Sequence, residues 1–241
     1  MSTASKSTRP EAAGPPARTV AVIMDGNGRW AAARGLPVEA GHREGTRALR
    51  RTVEAAIELG VTTLAVYAFS TENWARPPGE VAALMEILGE TIERELPDLA
   101  RQGVRTRFLG RRDRLPPDLR ASMEGLERST AELGTLALWI AFDYGGRAEL
   151  VEAARRLVAD RLTVDEVDEA ALAARLYAPD LPEVDLLIRT SGEFRISNFL
   201  LWQTAYAEFV LTETLWPDFG PDDLRAALDA FASRDRRFGG R

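Results

Sequence analysis

Apolar positions along this chain fall into two patterns. Short, mainly apolar, β-like runs occupy residues 20–24, 63–69, 104–109, 136–142, 184–188 and 208–211. Such runs predict strands covered on both faces. Between them lie helical spacings over 41–59, 79–101, 116–132, 146–159 and 165–177, with a last one over 221–234. The 79–101 stretch carries Val81, Leu84, Met85, Leu88, Ile92 and Leu96 at helical spacing, which predicts one core-facing stripe. Strands alternating with helices predict an α/β fold: a single domain over 19–241 with a central six-stranded, mainly parallel sheet flanked by helices. Residues 1–18 are rich in Ser, Thr, Ala and Pro and read as a disordered leader.

Composition narrows the chemistry. The net charge of −6 argues against broad nucleic-acid binding. No apolar h-region opens the chain, and no apolar run is long enough to cross a bilayer. Cysteine is absent, which removes disulfides and thiolate metal sites. His42 is the single histidine, so a Ser–His–Asp triad or a multi-histidine metal site has almost nothing to work with. Of the 31 basic residues only Lys6 is a lysine, so a phosphate site here must use arginine.

Three strand-like runs end in polar clusters. The first passes into Asp25, Gly26, Asn27, Gly28, Arg29 and Trp30. A carboxylate there is a hard oxygen ligand for Mg²⁺. Arg29 is a fork donor for phosphate, and a helix start offers unpaired N–H groups. The simpler reading of Asp25 is a helix cap. The second cluster, at 67–77, contains Ser70, Thr71, Glu72, Asn73, Trp74 and Arg76. Turn formation explains Ser, Asn and Pro, but it does not require Trp, Arg and Glu beside them. The third, at 185–203, places Arg189, Arg195 and Ser197 after a strand end, a donor set suited to a diphosphate. Surface salt bridges are the simpler reading there. Glu208 adds a carboxylate near the last strand, and the basic tail 236–241 would ordinarily be solvated.

Six motifs gather these clusters: MDGNGRW at 24–30, GH at 41–42, YAFSTENWARP at 67–77, YGGR at 144–147, RTSGEFRISNFLLWQ at 189–203 and LWPDF at 215–219. Together they resemble the cis-prenyltransferases, most closely the undecaprenyl diphosphate synthase branch, over residues 19–240. The DDxxD helices of trans-prenyltransferases are not matched, since Asp222-Asp223 leads to Ala226 and Ala227.

The resemblance implies an enzyme that adds isopentenyl diphosphate units to an allylic diphosphate with cis double bonds. It implies Mg²⁺ at Asp25, with Glu208 as a second metal-linked carboxylate. Gly26, Asn27, Gly28 and Arg29 would hold the allylic diphosphate, with His42, Thr71, Glu72 and Arg76 around it and Trp30 and Trp74 packed nearby. Arg189, Arg195, Ile196 and Ser197 would hold isopentenyl diphosphate. Asn73, with Ser70 beside it, falls at the family's proton-accepting position. The resemblance further implies a cytoplasmic homodimer with at most peripheral membrane contact, Arg237 and Gly239 reaching the partner's site.

An apolar product tunnel is expected along Ala68, Leu84, Leu88, Leu136 and Phe142. Burying one five-carbon unit is worth about 4 kcal/mol at about 0.8 kcal/mol per carbon, so a blocked tunnel stops elongation. Ala68 and Leu136 favour a polyprenyl diphosphate, the lipid-carrier precursor of wall synthesis. Phe142 favours the alternative, a short farnesyl-type product. A non-catalytic partner subunit is disfavoured, because Asp25, Asn73, Trp74, Arg189 and Arg195 are all kept. Two positions depart from the family pattern. Val38 stands where an arginine is common, with Arg34 as the expected substitute, and Asp143 replaces an asparagine.

Overall fold

A computed structural model describes residues 16–234. Its six strands are β1 (Thr19–Ile23), β2 (Thr63–Ser70), β3 (Val104–Leu109), β4 (Leu136–Tyr144), β5 (Leu186–Arg189) and β6 (Glu208–Leu211). They form one sheet in the order β3-β4-β2-β1-β5-β6, and each neighbouring pair is parallel. The helices are α1 (Asn27–Ala32), α2 (Val38–Glu58), α3 (Pro78–Arg94), α4 (Leu96–Arg101), α5 (Pro117–Ser129), α6 (Gly146–Ala159), α7 (Glu169–Ala173) and α8 (Pro221–Ala232).

The mainly apolar runs have the predicted cause. β1 is buried along its whole length, and β4 nearly so, because helices or loops cover both faces. One face packs Val20, Val22, Leu64, Val66 and Ile140 against Val53 of α2, Ile92 of α3, Met123 of α5 and Leu224 of α8. The other packs Ala21, Ala65, Trp139 and Leu187 against Leu181, Phe199 and Leu200. β6, at the sheet edge, alternates half-buried and exposed residues instead.

Three sequence expectations are corrected. The 79–101 helix is two helices, α3 and α4, meeting at Glu95. Pro97 has no N–H to continue the α3 ladder and sits in the first turn of α4, where none is needed. The 165–177 helix shrinks to a 3₁₀ turn at Val164–Glu166 followed by α7, whose N-terminus is capped by the Asp168 carboxylate accepting from Ala171 N–H at 2.7 Å. Residues 16–18, assigned by composition to the leader, are tied down: Ala17 is buried, and Arg18 N–H donates to Asp185 Oδ2 at 2.9 Å. Residues 1–15 lie outside the described residues.

This strand order sets the place for a site. From β1 the chain crosses to β2 on one side, whereas β5, on its other side, leads away to β6. Loops that leave neighbouring parallel strands in opposite directions open a crevice at the strands' carboxyl ends. Asp25 follows β1 there, and Thr190 follows β5.

Candidate active site

The crevice between β1 and β5 is closed by reciprocal bonds. Asp25 N–H donates to Thr190 Oγ1 at 2.8 Å, and that hydroxyl donates to the Asp25 carbonyl at 2.7 Å. The Asp25 carboxylate is thereby aimed across the crevice, where Arg189 Nη2 donates to Oδ2 at 2.9 Å. Arg189 is only 4% exposed, and its other amino group donates to Ser197 Oγ at 2.6 Å and to the Arg195 carbonyl. A buried guanidinium thus fixes the 195–197 loop and the β1 carboxylate together. Arg29, one turn into α1, donates to the Ser191 carbonyl at 3.1 Å and stands 3.7 Å from Asp25 Oδ1. Gly26 holds φ at +111°, and a Cβ there would meet Leu215 at 2.9 Å, so only glycine lets the chain pass from Asp25 into α1.

On the other side, β2 ends in a 3₁₀ turn at Thr71–Ala75. Ser70 and Asn73 cap it reciprocally: Ser70 N–H donates to Asn73 Oδ1 at 2.9 Å. That bond engages the Asn73 carbonyl oxygen and leaves its Nδ2 donor for a ligand. Burial raises the Glu72 carboxyl, but bonds from Asn198, its own backbone, Ser70 and Thr71 outweigh it and hold the group below the usual carboxylate range.

His42 on α2 lines the same space. Burial and the nearby Arg76 guanidinium push its imidazole down, against Glu80 and Glu39, so it is neutral at pH 7. Asn27 Nδ2 lies 3.3 Å from His42 Nδ1. Nε2 is 3.8 Å from Glu80 Oε1, and Arg76 donates to the same oxygen at 2.7 Å. His42 Nε2, Asn27 Oδ1 and Arg189 Nε are buried without a hydrogen-bond partner. Buried polar groups of that kind call for a partner.

These groups share one cleft of 590 Å³, lined by Asp25, Asn27, His42, Ser70, Glu72, Asn73, Arg76, Arg189, Arg195 and Ser197 with Ala68 and Leu84. It also includes Met24, Tyr67, Phe69 and Asn198, which the sequence reading missed. The first three look like ordinary strand interior, and Asn198 looks like ordinary loop. A smaller apolar cavity of 90 Å³ shares Met24, Asn27, His42, Ala68 and Leu84 with the cleft and runs on to Leu88, Ile140 and Phe142.

Several expected site residues lie elsewhere. Trp30 Nε1 donates to Asp218 Oδ1 at 2.7 Å, and Arg34 stacks 4.1 Å above the same indole and pairs with Asp218 at 3.2 Å. Arg34 is thus held on the α1 surface and does not replace the arginine expected at Val38. Trp74 turns its indole N–H away from the cleft to Asp143 Oδ1 at 2.8 Å. Thr71 donates to Glu72 Oε2 at 3.1 Å, and Ile196 packs against the Tyr67 face of the sheet. Leu136 is fully buried at the start of β4 and lines neither cavity. Glu208 is level with Leu186 and Val20 at the opposite end of the sheet from Asp25, and pairs with Arg234 at 2.7 Å. Gly28 lies within α1, and Arg237 and Gly239 lie outside the described residues.

The donor set bears on a metal. Among the described residues no three His, Asp or Glu converge as a metal cage. One partly exposed carboxylate, Asp25, stands among arginines. Mg²⁺ is commonly held by one or two carboxylates with substrate phosphates and water, and Asp25 fits that habit.

Comparisons with known proteins agree with this geometry. A prenyltransferase family model described as "Putative undecaprenyl diphosphate synthase" matches residues 23–239. A ditrans,polycis-undecaprenyl-diphosphate synthase ((2E,6E)-farnesyl-diphosphate specific) of Xanthomonas axonopodis pv. citri is 51% identical over 226 residues, 92% of this chain and 88% of its own. A trans,polycis-polyprenyl diphosphate synthase ((2Z,6E)-farnesyl diphosphate specific) of Thermobifida fusca is 49% identical over 92% of this chain and 80% of its own. The crystal structure of lavandulyl diphosphate synthase from Lavandula x intermedia in complex with dimethylallyl diphosphate superposes with a TM-score of 0.90. That protein is 35% identical, and the match covers 93% of this chain and 98% of that one.

Proposed function

Because the chain belongs to the undecaprenyl diphosphate synthase family of prenyltransferases, we propose that it condenses isopentenyl diphosphate onto an allylic diphosphate with cis double bonds. The product is a polyprenyl diphosphate, a lipid-carrier precursor of wall synthesis. One observation carries this reading: Asp25, Arg76, Arg189 and Arg195 line a cleft whose Met24, Ala68 and Leu84 also line an apolar cavity. A charged head site that continues into an apolar wall suits a diphosphate with a hydrocarbon tail.

The residues divide the work. Arg189, Arg195 and Ser197 hold the isopentenyl diphosphate, and Asn27, Arg29, His42 and Arg76 surround the allylic one. Asp25 would hold Mg²⁺, which would supply charge neutralisation to the departing allylic diphosphate. Arg189, buried and held by Asp25 and Ser197, supplies the same stabilisation from a fixed position. Elongation forms a C–C bond and releases a proton. Asn73 is a poor base with its carbonyl oxygen engaged by Ser70, so it orients the substrate and the proton passes to a diphosphate oxygen. An Asn73→Ala enzyme with unimpaired turnover at saturating substrate would exclude that orienting role.

The product tunnel is proposed to start at the wall shared by cleft and cavity. A second reading, a short farnesyl-type product, is favoured by Phe142 standing in the lining of that small cavity. Glu208 is not proposed as a co-ligand of Asp25 within one chain. The chain is proposed to act as a homodimer in the cytoplasm with peripheral membrane contact. No helix among the described residues is long and apolar enough to cross a membrane. Deleting residues 236–241 should impair isopentenyl diphosphate use. The test of the whole reading is incubation of the purified chain with labelled isopentenyl diphosphate, several allylic primers and Mg²⁺, followed by product sizing. Incorporation by this chain alone supports it. A chain that binds but never incorporates is a non-catalytic subunit.

A further inference from the structure

Asn198 stands between the two halves of the cleft. Its Nδ2 donates to Glu72 Oε1 at 3.0 Å, on the turn after β2. Its Oδ1 accepts from Arg147 N–H at 2.8 Å, and its carbonyl accepts from Gly146 N–H at 2.8 Å, both in the first turn of α6. The backbone pays for this placement, since φ is +64° at Asn198 and +46° at Ser197, in the left-handed region that non-glycine residues rarely adopt. Gly145 makes room for it: a Cβ there would stand 2.9 Å from Asn198 Nδ2 and 2.6 Å from Thr71 Oγ1. A Cβ on the adjacent Gly146 would stand 2.6 Å from Leu201 Cγ and 3.1 Å from the Asn198 carbonyl oxygen. The YGGR segment is thus shaped around this contact.

We propose that Asn198 is a positioning residue that ties the Glu72–Asn73 turn to the Arg195–Ser197 loop through the first turn of α6, so that the two halves of the cleft keep one spacing. This rests on reading that cleft as a two-diphosphate site. Asn198 contributes no charge and need not touch either substrate. It acts by holding Glu72 on one side and the chain that carries Ser197 on the other.

The test measures Kd for isopentenyl diphosphate and for an allylic diphosphate, each titrated alone by calorimetry, so that no turnover is needed. Asn198→Gly keeps the left-handed backbone and removes the amide. Asn198→Asp keeps the acceptor for Arg147 N–H but faces Glu72 with a second carboxylate. Each should weaken both substrates by about tenfold, the size of one lost hydrogen bond to a charged group, with thermal unfolding little changed. Adding Glu72→Gln to Asn198→Asp restores a donor–acceptor pair with its direction reversed. Both Kd values should then be tighter than the product of the two single effects allows. Wild-type affinities in Asn198→Gly, or a double variant showing only that product, would overturn the proposal. A wild-type chain that binds both diphosphates yet makes no product would sink the functional reading while leaving this coupling standing. Binding of neither would remove both.

Discussion

The Trp74 indole N–H donates to Asp143 Oδ1 at 2.8 Å, and Asp143 is wholly buried. Arg114 completes the cluster. It pairs with both Asp143 oxygens and lies 4.9 Å above the Trp74 ring. The carboxylate at a position where the family commonly has asparagine is therefore compensated within this chain, and it anchors the turn that carries Asn73. Arg114→Leu leaves a buried carboxylate with one neutral donor. Because Arg114 is itself partly exposed, the expected loss is about 2 kcal/mol, below the range for fully buried pairs. Asp143→Asn in the same background should recover part of it, because an amide oxygen still accepts from Trp74. Denaturant unfolding of the wild type and the two variants checks this, and equal losses with and without Asp143→Asn would contradict it.

Phe142 stacks on Phe69 with ring centroids 5.1 Å apart and lines the small apolar cavity. Phe142→Ala should extend that cavity and lengthen the product by at least one five-carbon unit. It should also lower stability by about 3 kcal/mol through the space it leaves. Product sizing beside the wild type decides, and unchanged lengths would make Phe142 a core residue only.

Glu149 provides a pH test away from the cleft. It is buried, with Tyr177 N–H donating to Oε1 at 3.0 Å and the Tyr144 hydroxyl to Oε2. Burial is the main influence and raises its carboxyl above the ordinary 4.5. Below that value both folded and unfolded chains hold the proton. As pH rises past 4.5 the unfolded chain ionises first, and stability is lost until the folded carboxyl also ionises. Glu149→Gln should therefore gain on the wild type in melting temperature as pH is raised from below to above 4.5. A difference that stays flat across that range would contradict the assignment.

Much of the fold could be read from mainly apolar runs, because strands covered on both faces need no polar alternation. β3 and β6 match their expected bounds, while β2 and β4 run past theirs. The 79–101 helix failed because its apolar stripe continues through Pro97 while the backbone ladder does not. The catalytic candidates were legible where a strand ends in charged residues, as at Asp25, Glu72, Arg76 and Arg189. Trp30 and Arg34 misled because Asp218, 184 positions from Arg34, captures both. Asn198 was hidden because its significance lies in two partners, Glu72 and Arg147, that only folding brings near. Residue type marks what a side chain can do, but long-range pairing decides where it does it.

The central claim rests on Asp25, proposed as the carboxylate that would hold a Mg²⁺ ion against the leaving diphosphate. The direct measurement is the steady-state rate of labelled isopentenyl diphosphate incorporation against Mg²⁺ concentration, for wild type and Asp25→Asn. The substitution keeps the side chain's size and an acceptor for Arg189 while removing the negative charge that binds the metal. The wild type should require Mg²⁺, and the variant should fall by about 100-fold or more at saturating metal, a loss of about 2.7 kcal/mol in transition-state stabilisation. Wild-type incorporation without divalent metal, or an Asp25→Asn enzyme that keeps the wild-type rate and metal dependence, would contradict the account.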